Sequence, residues 1–131
     1  MKQLDRAQPV GTLILRIALA LSMTVHGYQK VFHAGAVQHF AAYVATLGIP
    51  AWLGYVSAWT EFLGGILILF GLLTRVASAL VAINMLVALL AVGIQQGFGI
   101  YNYIFALLAI AVALVFQGAG PISVDRRLGI G

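Results

Sequence analysis

The sequence predicts an all-α membrane protein: four transmembrane helices in an antiparallel bundle, with a short amphipathic helix between helices one and two. Three observations carry this. First, the 131-residue chain is 63% hydrophobic and only 8% charged, with a mean hydropathy of +1.05. A soluble domain carries about 25% charged residues, so there is too little charge here to cover a water-facing surface. Second, the apolar residues gather in four runs of about 17–23 residues, which match a hydrocarbon core of about 30 Å at about 1.5 Å per residue. Third, the positive residues cluster between and beyond these runs. The chain reads as one domain over residues 1–131.

Helix one is expected over residues 10–28, with Pro9 in its first turn, where a missing N–H costs nothing. Lys2 and Arg6 ahead of an apolar stretch resemble the start of a signal peptide. Arg16 interrupts the apolar core, however, and His26, Gly27, Tyr28, Gln29 and Lys30 stand where a small-x-small cleavage site belongs. The segment therefore reads as a retained helix. The one long connection covers residues 29–50. Within it, residues 36–47 place Val37, Phe40, Val44 and Leu47 on one face, the pattern of an amphipathic helix lying on the membrane or capping the bundle.

Pro50 restarts the chain before helix two, residues 51–73, where Trp52, Tyr55 and Trp59 read as interfacial anchors. Residues 71–75 make a tight turn into helix three, residues 76–94. Residues 95–99 separate it from helix four, residues 100–117, which Gly118, Gly120 and Pro121 end. Lys2, Arg6, Arg75, Arg126 and Arg127 fall on one side and Lys30 on the other. The positive-inside rule then places both termini in the cytoplasm of a multi-pass bacterial inner-membrane protein.

Several function classes drop out. With a net charge of +4 but no basic stripe interleaved with aromatics, nucleic acid is not a predicted partner. There is no cysteine, hence no disulfide, thiol couple or iron–sulfur cluster. Redox chemistry would need a bound cofactor or a partner protein. His26, His33 and His39 match no metal-ligand spacing, so no metal is expected. Haem ligation is weak as well, because only His26 lies in a helix end. No nucleophile–base arrangement is readable.

What remains is a polar interior. Glu61 sits near the middle of helix two and is the only acid between Asp5 and Asp125. A charge at the bilayer centre costs at least about 2.5–3.5 kcal/mol on insertion scales, so such residues face the bundle interior and mark functional sites. Each helix carries a small-and-polar stripe: Thr12, Arg16, Ala20, Met23, Gly27 and Lys30; Gly54, Ser57, Ala58, Glu61, Gly64 and Gly65; Ala77, Asn84, Ala88, Ala91 and Gln95; and Asn102, Ala106, Ala109, Ala113 and Gln117. Small residues allow close helix approach and polar ones bond across it. The candidate ligand-binding residues are Arg16, His26, Lys30, Glu61 and Asn84. Arg16 and Glu61 are expected at mid-depth, with His26, Lys30 and Gln95 towards the outer mouth. Each has a plainer reading. A Glu61–Arg16 pair can serve only to set helix register, Asn84 to glue helices, His26 to hydrogen-bond at the interface, and Lys30 to snorkel.

The chain also resembles the DoxX family of small four-helix bacterial membrane proteins. The matching features are Arg16, then His26-Gly27 with Lys30, then Gly48-Ile49-Pro50. After these come Glu61-Phe62-Leu63-Gly64-Gly65, Gly71-Leu72-Leu73-Thr74-Arg75 and the tail Gly118-x-Gly120-x-x-Ser123-x-Asp125. The resemblance implies a plasma-membrane protein associated with redox systems. Relatives include the membrane subunit type of thiosulfate:quinone oxidoreductase and a member that joins a superoxide dismutase and a sulfurtransferase. Some relatives carry membrane cysteines. This chain has none, which argues against direct thiol transfer.

The expected function is therefore a redox-associated protein binding a quinone, or a similar small amphipathic molecule, beside a partner oxidoreductase subunit. Arg16 and Glu61 would orient or protonate the head, and His26 and Asn84 would add hydrogen bonds. No covalently held cofactor is expected. Two alternatives stand beside it: a homo-oligomeric transporter of small solutes or protons, and a ligand-free scaffold whose polar centre only locks the bundle.

Overall fold

The computed structural model describes residues 1–130. Among them there is no strand, and four helices are long and apolar enough to cross a membrane. A turn of helix, α1 (Lys2–Asp5), precedes α2 (Gln8–Phe32). The capping helix α3 (Ala36–Thr46) follows, then α4 (Ala51–Phe70). The third span is one 23-residue rod, Thr74–Gln96, built from α5 (Thr74–Ala88), a π-helical turn (Leu89–Gly93) and α6 (Ile94–Gln96). The fourth is α7 (Phe98–Gln117), and α8 (Val124–Leu128) closes the chain.

The boundaries follow from local chemistry. Gly71 takes φ +71° and ends α4 three residues earlier than the apolar run does. Its N–H bonds Ile68 O and the Leu72 N–H bonds Leu67 O, the paired hydrogen bonds of a Schellman end. The break before α7 is narrower than expected. Gly97 alone, at φ +89° and ψ +169°, stops α6 and starts α7.

Glycines set the helix spacing. A Cβ at Gly27 would lie 2.3 Å from Phe62 N, and one at Gly65 would lie 2.7 Å from Thr24 N. The α2 and α4 backbones are thus in direct contact, as small residues permit in a membrane. At Gly54 a Cβ would lie 2.8 Å from Ala41 Cα, which seats α3 on α4. The amphipathic segment accordingly caps the bundle, with Ala41 and Val44 buried.

The buried faces of α2 and α4 match the expected stripes: Arg16, Ala20, Met23 and Gly27 on one, and Gly54, Ala58, Glu61, Gly64 and Gly65 on the other. Helix four departs. Ile104, Leu107, Ala111 and Leu114 are its buried residues, while Asn102, Ala106, Ala109 and Gln117 are exposed. The reason is that lipid is as apolar as leucine, so nothing forces large side chains outward. With no strongly polar group to bury, α7 turns its bulky residues onto Leu19, Met23, Val81 and Met85 in the core.

Candidate functional site

Glu61 lies in the eleventh position of the twenty-residue α4, at mid-span, where its side chain points inward with Ala58 and Gly65. It is 3% exposed. The Lys30 ammonium donates to Glu61 Oε1 at 2.9 Å. Asn84 Nδ2 donates to the same oxygen at 3.0 Å. The Ser57 hydroxyl donates to Asn84 Oδ1 and so fixes which way that amide faces. Glu61 Oε2 is buried and has no partner. One carboxylate thus ties α2, α4 and α5 together, and Lys30 balances its charge.

Lys30 reaches this point from the C-terminal end of α2. Its ammonium also lies 4.0 Å from the Phe40 ring centroid on α3, within the range of a cation–π contact. The lysine side chain is 28% exposed and that of Glu61 is 4% exposed. The pair therefore sits at a boundary, with its cation partly exposed and its carboxylate buried.

A cavity of about 380 Å³ adjoins the cluster. Lys30, Ser57, Thr60, Glu61 and Asn84 supply its polar atoms, with Gln96 and Tyr103 beyond them. The rest is mostly apolar: Phe40, Tyr43 and Val44 from α3, Leu47 just past its end, Leu53 and Val56 from α4, and Leu80, Ile83 and Val87 from α5. Val56, Leu80, Ile83 and Val87 are also exposed, so the α4 and α5 residues of the cavity wall belong to the apolar surface of the bundle. The π-helical turn lies in this wall and contributes Ala91 and Val92. Such turns recur at functional sites.

The structure divides the five expected site residues. Lys30, Glu61 and Asn84 converge. Arg16 does not join them: the expected placement of Arg16 beside Glu61 at mid-depth is corrected, and the direct pairing that the sequence left open is not formed. The Gly27–Phe62 and Thr24–Gly65 contacts set the register of α2 on α4. Carried along both helices, that register brings Lys30 near Glu61 and Arg16 to the far end of α4. There Arg16, 1% exposed, donates to Ile68 O at 3.1 Å, Leu69 O at 2.9 Å, Ala119 O at 3.2 Å and Ile122 O at 2.5 Å. It adds a second donor to Ile68 O, which already accepts from Gly71, satisfies Leu69 O in the last turn of α4, and binds the C-terminal tail to them. Asp125 completes this clamp by accepting from the Leu73 and Thr74 N–H groups at the start of α5, at 2.7 and 2.9 Å.

His26 is exposed and stacks on Tyr103 at 6.2 Å between ring centroids. It is not among the cavity-lining residues, although its stacking partner Tyr103 is. Gln96, not Gln95, lines the cavity. Ser57 is the participant that sequence reading undervalued. Its signal was present, since it lies one turn before Glu61 on the same face.

Fold and cluster together define a four-helix membrane protein with a buried charged site under a short capping helix. The DoxX family model matches residues 11–94, and the chain belongs to the DoxX family. It is 30% identical over 124 residues, 93% of this chain and 90% of the relative, to the Bacillus subtilis (strain 168) protein named "Putative oxidoreductase CatD". It is 31% identical over 136 residues, 95% of this chain and 97% of the relative, to the Escherichia coli (strain K12) protein named "Inner membrane protein YqjF". No solved structure matches it.

Proposed function

We propose that this protein is a redox-associated bacterial inner-membrane protein that holds the polar head of a quinone-class amphipathic molecule at Lys30, Glu61 and Asn84, and works with a partner oxidoreductase. The observation that carries the reading is the position of a dry, incompletely bonded carboxylate on the wall of an apolar cavity. Small-molecule sites are concave, mostly apolar, about 300–1,000 Å³ in volume and oriented by a few polar groups. The exposed apolar residues of its α4 and α5 wall, Val56, Leu80, Ile83 and Val87, suit a ligand whose apolar part belongs in lipid. Lysine, glutamate and asparagine can orient a head group and handle its protons, and electrons would pass through the partner.

The relatives' names support the setting: one is named "Putative oxidoreductase CatD" and the other "Inner membrane protein YqjF". In this reading Lys2, Arg6, Arg75, Arg126 and Arg127 face the cytoplasm with both termini. The cavity, under α3, then lies in the outer half of the bilayer.

The test is native mass spectrometry with lipid extraction on detergent-purified protein, wild type beside Glu61→Gln. A quinone-class molecule bound stoichiometrically to the wild type and absent from a folded Glu61→Gln variant is expected. If no such molecule co-purifies and added decylubiquinone and decylubiquinol both fail to bind, the reading is wrong.

A further inference from the structure

Resting on the reading above, the hydrogen-bond inventory of the cluster selects between the two redox forms of such a head. A carboxylate offers about four lone-pair positions over two oxygens. Lys30 and Asn84 both donate to Oε1, and Oε2 receives nothing. The Ser57 hydrogen is engaged by Asn84 Oδ1. Spare donors remain on Lys30 and on Asn84 Nδ2, but the oxygens of either redox form can accept from them, so they do not separate the two. The deficit at the buried end is therefore an acceptor lacking a donor. A buried acceptor left unmatched is costly, and more so when it carries charge.

We infer that the site prefers a hydroxyl-bearing, quinol-class head, whose O–H donates to the Glu61 carboxylate, over the oxidised quinone. A quinone head brings only carbonyl acceptors. It can take N–H groups from Lys30, yet it leaves the second Glu61 oxygen as bare as before. A quinol brings the missing donor to the carboxylate and can still accept from Lys30 through the same hydroxyl oxygen. The two forms share ring and tail, so apolar burial in the cavity cancels between them. The difference rests on the hydrogen bond.

The experiment is equilibrium binding to the purified protein in nanodiscs under anaerobic conditions. It uses decylubiquinol, decylubiquinone and the O-methylated quinol, which keeps the ring and loses both donors. A hydrogen bond to a charged group predicts that the quinol binds at least about tenfold more tightly than the other two. In Glu61→Gln, which has lost the charged acceptor, the quinol should lose its advantage, its affinity falling to that of the other two probes or below detection. Equal or tighter binding of the quinone to the wild type overturns the inference while leaving quinone-class binding in place. So does equal binding of the methylated quinol, a comparison that needs no variant. Failure of all three probes to bind removes the parent reading and this inference with it.

Discussion

At the scale of single residues, two buried charges do different work. Lys30 is the counter-charge of Glu61, so Lys30→Met leaves a dry carboxylate held by Asn84 alone. Breaking a buried pair from one side costs about 3–5 kcal/mol, and partial exposure of Lys30 places the expected loss near the lower end. Denaturant unfolding in detergent checks this. The double variant Lys30→Met/Glu61→Gln should recover most of the loss, because no charge is then stranded. Arg16 instead satisfies four backbone carbonyls from one guanidinium fork. Arg16→Lys keeps the charge but not the planar set of donors. It should loosen the tail at residues 118–128, read as faster limited proteolysis there, with Lys30 and Glu61 still paired. Arg16 and Glu61 were visible in the sequence as charges in apolar runs. Their partners were not, because a long side chain and the 22-residue connection over 29–50 leave the choice of partner open.

At the scale of elements, the α2–α4 contact decides where every polar group ends up. Gly27→Ala or Gly65→Ala puts a Cβ within 2.3–2.7 Å of the opposing helix. The helices must part, at a cost of about 1–3 kcal/mol or more. The same separation should lower ligand binding at Glu61, which a still-folded Gly27→Ala protein can report. Gly11→Ala is the control: nothing lies within 4 Å of its Cβ, and replacing a helical glycine by alanine gains about 0.8–1.0 kcal/mol of helix propensity. The glycines on these faces were legible as packing devices. Their register was not, since hydropathy marks where a helix enters lipid only to within a turn or so. That uncertainty is enough to move Arg16 from mid-depth to the end of α4. The fourth helix shows the same limit in rotation: its small residues suggested a face, and packing used the opposite kind of residue.

At the scale of the whole molecule, the outer surface of the spans is apolar. Leu21, Val25, Leu63, Leu69, Ile83, Leu90, Phe105 and Phe116 are all exposed, as a lipid-facing bundle requires. The proposed orientation can be tested cleanly because the chain has no cysteine. Introduced Gln3→Cys and Leu128→Cys should be shielded from an impermeant maleimide in intact cells, and Thr46→Cys should react. The reverse pattern would invert the protein and place the cavity in the inner half of the bilayer.

Length, hydropathy and charge by themselves determined that the chain is a four-helix membrane bundle, where its spans lie, that a short amphipathic helix precedes the second span, and that Glu61 is a buried polar centre. These are local properties, set by the cost of placing backbone and charge in hydrocarbon. Only the tertiary structure decided that Glu61 pairs with Lys30 and Asn84 and not with Arg16, that Arg16 and Asp125 clamp the tail, and that a cavity opens beside the carboxylate. Those outcomes depend on the axial shift and rotation of one helix against another. In lipid these are chosen by close backbone packing at a few glycines, and no pattern along a single helix encodes that choice.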